Sequence, residues 1–303
     1  MLFVFGVLSA SAQKASPAPS LRTITVTTEP NATVWIDGVR YGKTDATGKF
    51  QIKTVAPGAQ SLRVRADGFK QKDQPLTAVQ KGTVTVPLVK TTDEAELAFQ
   101  EGERLNSSDR EKAVAAYNKA IKLRPNYPEA YLALGRVLAD SGDLEAAEKA
   151  VNSARKLRPG YAEASAVLGR IYRESGEDES KAVATFKRAI TEGKGFQPEA
   201  NAGLGLLYKE KAEGFGGSGN FENEAAAYAE SAKYLKAAVK QLSGAPDAIV
   251  IYQLLGLTYE RQKKYADAIA TYEDFLRIFP DVTESSAVRS FIVQLKKDLE
   301  QQP

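Results

Sequence analysis

The chain has 303 residues, 43% hydrophobic and 26% charged, with a formal net charge of +3 and neither cysteine nor histidine. That length accommodates two or three globular domains of ordinary composition. The missing Cys and His exclude thiolate nucleophiles, His-based acid–base pairs, disulfide frameworks and the usual ligands of zinc and copper; no spacing of carboxylates, or of Ser with Lys, singles out another catalytic pair, so the chain reads as non-enzymatic, with no cofactor and no metal site.

Residues 1–12 read as a signal peptide: Leu2–Leu8 is a short apolar run, and Ala10-Ser11-Ala12 fits the small-residue pattern of a cleavage site before Gln13, although no Lys or Arg precedes Lys14. The expected location is exported, periplasmic or envelope-associated. No other stretch approaches the roughly 20 apolar residues of a membrane span, so no transmembrane segment is expected after removal of the signal. Residues 13–20, QKASPAPS, read as an extended linker.

From residue 21 to 90 the apolar period is 2. Ile24 and Val26, Val34 and Ile36, Phe50 and Ile52, Leu62 and Val64, then Val84, Val86 and Leu88 alternate with polar residues, and Gly, Pro, Asn and Asp stand between the runs. Five or six short antiparallel strands in about 70 residues predict a small β-sandwich. The segment TTEPNATVWIDGVRYGKT, followed by VAPGAQSLRVRADGF, resembles the PEGA domain through Pro30 and Ala32, the Asp37-Gly38 turn, Gly42, Pro57-Gly58 and Gly68-Phe69, with Pro30-Asn31-Ala32 one residue short of the tetrad that names that family. The same tail, with TDATGKF before it, resembles carboxypeptidase-regulatory-like sandwiches. Either resemblance implies an accessory module without catalysis. This region is basic, 11 Lys/Arg against 5 Asp/Glu, whereas residues 91–303 carry 29 against 33. Trp35, the single tryptophan, alternates away from Val34 and Ile36. With Arg63, Arg65, Lys49 and Lys53 on outward faces, it is a candidate to stack on an envelope glycan, to meet a partner, or simply to pair across strands or pack on the second domain.

From Thr92 the period becomes 3.6. Residues 128–161 place Tyr131, Leu134, Gly135, Leu138, Ala147, Val151, Ala154 and Pro159 where the 34-residue tetratricopeptide (TPR) pattern wants them, and the stretch resembles that family strongly. First-helix glycines recur at Gly102, Gly135, Gly169, Gly205 and Gly256, at intervals of 33, 34, 36 and 51. Second helices repeat a small-large-small triplet: Ala113-Tyr117-Ala120, Ala147-Val151-Ala154, Ala182-Phe186-Ala189, Glu230-Tyr234-Ala237 and Ala268-Tyr272-Phe275, the fourth departing at Glu230. Pro125, Pro159 and Pro280 close repeats. The expectation is a multidomain protein, a small all-β sandwich followed by an all-α TPR superhelix. Its five repeats span about 95–127, 128–161, 162–197, 198–246 and 248–281, with an insertion near 212–224 and a capping helix over 282–300.

The resemblance implies recognition of a protein or peptide in the concave surface lined by first helices. Arg136, Arg170, Arg173, Lys209 and Arg261, with Glu174 and Glu210 among them, give that surface a cationic surplus suited to a carboxylate or acidic segment. The arrangement departs from carboxylate-clamp TPRs, since arginine takes the asparagine place in repeats 2 and 3. The glycines of EGFGGSGN are spaced G-x-G-x-x-G, but a helix rather than a strand precedes them, so they lack the geometry of a phosphate cradle. They mark instead about 13 inserted residues between the two helices of the fourth repeat, part of them open to extending the helices and GFGGSGN expected as loop, with Phe215 and Phe221 at a tip that could dock a partner. Nucleic-acid binding is not expected of an acidic array behind a secretion signal. The reading overall is an interaction scaffold or adaptor of the bacterial cell envelope. The alternative is a glycan or cell-wall binder that uses the basic β domain, with the repeats as spacer or oligomerisation unit.

Overall fold

The protein is described by a computed structural model over residues 21–301, so the proposed signal peptide and linker lie outside the described residues. Seven strands come first: β1 (Arg22–Thr27), β2 (Thr33–Ile36), β3 (Val39–Lys43), β4 (Lys49–Val55), β5 (Gln60–Arg65), β6 (Lys72–Leu76) and β7 (Gly82–Thr85). They form two sheets, ordered β4-β1-β7 and β3-β2-β5-β6. The alternation seen in the sequence fills the space between them: Ile24, Val26, Val34, Ile36, Ile52, Leu62, Val64, Val84 and Val86 are all buried, each contributing about 1.5–3 kcal/mol. Two features depart from the expectation. There are seven strands among the described residues: β3 adds the alternating Val39 and Tyr41, and β6, whose single buried apolar residue Leu76 shows no period, holds Pro75 as an edge strand can. The sheets are also not purely antiparallel, since β7 returns beside β1 in parallel.

Eleven helices follow: α1 (Glu94–Leu105), α2 (Arg110–Leu123), α3 (Pro128–Asp140), α4 (Leu144–Leu157), α5 (Ala162–Ser175), α6 (Glu179–Glu192), α7 (Pro198–Gly217), α8 (Phe221–Leu242), α9 (Ala248–Arg261), α10 (Tyr265–Ile278) and α11 (Ser285–Glu300). They make five antiparallel hairpins and a last helix, a TPR-like superhelix. Asp93, Asp109, Asp143 and Asp178 cap the helices they precede by accepting backbone N–H groups. In each hairpin the first-helix glycine faces the large residue of the second helix: Gly102 meets Tyr117, Gly135 Val151, Gly169 Phe186, Gly205 Leu235 and Gly256 Tyr272. A side chain at any of these would fill the space in which the two helices cross.

The fourth contact corrects the sequence reading. The partner of Gly205 is Leu235, so the triplet is Ser231-Leu235-Ala238, one residue later than Glu230-Tyr234-Ala237, and all three are fully buried. Ser231 Oγ donates to the Gly205 carbonyl at 2.7 Å. Tyr234 lies beside the triplet and stacks on Tyr208, with centroids 5.8 Å apart and planes 2° apart.

The insertion goes into the helices further than GFGGSGN suggests. Gly205 stands twelve residues before the end of α7, where Gly135 stands five before the end of α3; Ser231 stands ten after the start of α8, where Ala147 stands three after the start of α4. Each helix is longer by seven residues, close to two turns, so the added length keeps its faces in phase. Gly214–Gly217 are therefore helical, and the connection shrinks to Ser218–Asn220. A Cβ on Gly216 would sit 2.7 Å from Glu224 Oε1, a contact the glutamate side chain can relieve by turning away.

Candidate functional site: a cleft between sandwich and array

The sandwich does not stand apart from the array; it sits on the concave side. One buried cluster runs from its core, through Val39 and Tyr41, into Leu242, Ala245 and the helices that follow. At that end Tyr41 Oη lies 3.2 Å from the carbonyls of both Leu242 and Ser243, and Ser243 Oγ donates to the Thr54 carbonyl at 2.9 Å. Burial, opposed by the hydrogen bond at Ser243, pushes the Tyr41 hydroxyl up to about 12. At the other end Gln100 on α1 accepts from the Gly68 N–H and donates to the Phe69 carbonyl, both at 2.8 Å.

Arg65 of β5 completes that second junction. It pairs with Glu103 of α1, and its guanidinium lies 4.7 Å from the ring centre of Phe99 and 5.6 Å from that of Trp35. Burial raises the Glu103 carboxyl above its ordinary value, and the charge and hydrogen bond of Arg65 only partly offset this.

Between the two junctions the sheet and the first helices leave a cleft of about 840 Å³. Strand register builds one wall: Arg40 on β3 pairs with Trp35 on β2, which pairs with Arg63 on β5, so the three outward side chains form a row. The other wall carries Arg136 from α3, Arg170 and Arg173 from α5, and Tyr161, Phe196 and Leu206 between them. The β2–β3 turn, with Asp37 and Gly38 both at positive φ, brings Gly38 to the far wall, where a Cβ on it would be 3.0 Å from Glu163 Oε1.

Most of the cationic surplus is answered within the chain. Arg136 holds Glu199 with two hydrogen bonds, 2.6 and 3.1 Å; burial pulls its guanidinium down, yet the charge and hydrogen bonds of Glu199 outweigh this and hold it above its ordinary value. Arg158 pairs with Glu129, Arg170 with Asp140 at 2.7 Å, and Arg63 with Asp73 at 2.8 Å. Arg173 has a looser contact with Glu174, 3.7 Å, and Glu174 is shared with Arg170. Arg40 has no ion-pair partner among the described residues.

Of the residues singled out in the sequence, Arg136, Arg170, Arg173 and Trp35 therefore meet in one cleft. Lys209 does not line it and pairs with Glu213 at 2.7 Å, and Arg261 lies at the end of α9, where its charge bears on Tyr228. Phe215 packs with Ala212, Ala227 and Tyr228 inside the lengthened hairpin, and Phe221 at the start of α8 is 72% exposed. The grouping of Trp35 with all four outward cations breaks apart: Arg63 and Arg65 share its sheet, whereas Lys49 and Lys53 belong to β4 in the other one. The sequence reading missed Arg40, Glu129, Glu163 and Glu199. The three glutamates had a visible signal, since each is the second residue of a first helix, in PEA, AEA and PEA. Among the described residues no cluster of acidic side chains is placed to hold a metal, and no helix is long and apolar enough to cross a membrane.

Comparison with known proteins agrees with both halves. Models described as TPR repeat or tetratricopeptide repeat match residues 107–142, 132–198 and 252–281. A model of the carboxypeptidase regulatory-like domain matches residues 23–90, the second of the two resemblances read from the sequence. Similar solved structures include MamA (22% identity, 63% of this chain and 94% of that one, TM-score 0.43) and a thermophilic TPR protein of Thermus thermophilus (19%, 68% and 99%, 0.47). PilW, a type IV pilus biogenesis factor, is another (14%, 69% and 94%, 0.49). A search of curated proteins finds no match. The chain is thus a tetratricopeptide-repeat protein whose array carries an N-terminal carboxypeptidase-regulatory-like sandwich on its concave side.

Proposed function

We propose that the protein is a non-enzymatic interaction scaffold of the bacterial cell envelope that takes an acidic segment of a protein partner in the cleft between sandwich and array. The observation that carries this reading is the cleft itself. It is open, lined by aromatic and aliphatic surface, and flanked by Arg40 and Arg173, the two cations least neutralised by the chain's own carboxylates. Such a site offers charge-assisted hydrogen bonds to an incoming carboxylate beside apolar surface for its neighbours. The envelope location rests on the Leu2–Ala12 sequence.

In-cell cross-linking followed by mass spectrometry tests both parts. The expected links run from a single exported partner to the β2–β3 turn, α5 and α7; purely cytosolic partners, or links confined to the outer helices α2, α4 and α6, would refute the reading. With the partner in hand, Arg40→Glu and Arg173→Glu together are expected to weaken capture about tenfold, or ~1.4 kcal/mol. Arg136 is unsuited to this test, because its reversal would also break the pair with Glu199.

A further inference from the structure

The sandwich roofs the concave face over an open cleft, and its buried core joins that of the array at the α8–α9 end. Packed protein interiors leave few voids larger than a water molecule, yet about 840 Å³ stays open under this roof. The contacts that hold it are gathered at two ends of different character. At one end the chain itself connects the domains: Lys70 donates to the Val89 carbonyl, Thr91 to that of Gly68, and Gln100 is bonded to both Gly68 and Phe69, all within about 35 residues of sequence. At the other end the links join residues 189 to 202 positions apart: one tyrosine hydroxyl divided between two carbonyls, one serine hydroxyl on the Thr54 carbonyl, and the buried apolar cluster that holds Val39 and Tyr41 together with Leu242 and Ala245. Ser243 makes its bond from the left-handed region, φ +45°, where a serine is strained, and Gly244 beside it fits because a Cβ there would press to within 2.6–2.9 Å of the Thr54 side chain.

We propose that the sandwich is a lid on the concave face, hinged at residues 86–93 and latched at the α8–α9 turn by Tyr41, Thr54, Ser243 and Gly244 over the apolar seam of Val39 and Leu242, and that release of this latch gives a partner seated in the cleft access to more of the first helices. This rests on the reading of the cleft as the partner's site. The same surface then exists in a closed state, where only the cleft is accessible, and an open state exposing the full row of first helices. A partner with more contacts to the open state shifts the balance toward it.

The full chain provides its own probes. It has no cysteine, so a spin-label pair at Lys49→Cys on β4 and Lys236→Cys on α8 is free of background, and its single tryptophan, Trp35, lines the cleft. The unaltered latch should give one narrow distance and a reference constant for the quenching of Trp35 by acrylamide entering the open cleft. Tyr41→Phe with Ser243→Gly removes the polar links without adding an atom, and Gly244→Ala wedges the turn from Thr54. Either should bring a second, longer distance and raise the quenching constant about twofold, with the helical circular dichroism retained. If both leave distance and quenching unchanged, the lid is a fixed part of the fold and the proposal is wrong. The readouts need no partner, so their failure leaves the scaffold reading standing, and a failed cross-linking experiment leaves the motion of the sandwich while removing its role for a partner.

Discussion

Two glycines show how the same residue serves different ends. At Gly169 a Cβ would run into the Phe186 ring, whereas at Gly142 it would meet nothing but the backbone has φ +84°. Gly169→Ala is therefore expected to cost about 1–3 kcal/mol through overpacking, and Gly142→Ala about 1 kcal/mol through backbone strain alone; urea unfolding separates the two if only the second is rescued by Asn. Tyr41 gives a pH prediction. Its hydroxyl is raised from 10.0 to about 12, so the neutral form is favoured by folding; this contribution is complete below pH 10 and is lost as pH climbs from 10 to 12. It amounts to about 2–3 kcal/mol. Tyr41→Phe should flatten the alkaline limb of the stability curve by that amount, and an unchanged limb would show that the hydroxyl ionises as freely in the folded chain as in water. The glycines were legible in the sequence because they repeat. The role of Tyr41 was not, since what it touches lies 201 residues away.

At the level of elements, the lengthened α7–α8 hairpin shows where sequence reading succeeds and where it slips. The extra length was visible as an interval of 51 between glycines, but a run of four glycines among seven residues looked like loop. Two added turns on each side restored phase and let Ala212, Phe215, Ala227 and Tyr228 bury one another, which outweighs the roughly 1 kcal/mol that each helical glycine costs. The register slipped because Tyr234 and Leu235 are adjacent and both large. Phase makes a prediction: removing 211–217 together with 221–227 should keep the fold and cost only the small tip cluster, about 1–3 kcal/mol. Removing 211–214 alone rotates the end of α7 and should destabilise more, as a thermal melt would record; equal effects would argue against matched turns. The cleft was half legible. Its arginines stand in repeated positions, but the glutamates that answer them, and the sheet face that covers them, come from distant segments whose pairing no local pattern encodes.

Across the whole molecule, the core of the sandwich and that of α8–α11 are one buried cluster, so the two domains share stability. Trp35 fluorescence reports the sandwich, and far-ultraviolet circular dichroism is dominated by the helices. Their urea transitions are expected to coincide; separated midpoints would mean that the shared cluster couples the domains weakly. A solenoid of stacked hairpins otherwise behaves as a spring, each repeat touching only its neighbours. Here a block bonded to α1 at one end and to the α8–α9 turn at the other ties four coils of that spring together. Tension applied between residues 22 and 300 would meet this tie before it reached the coils. The molecule should then lengthen in two steps, a stiff one while the tie holds and a compliant one after it parts.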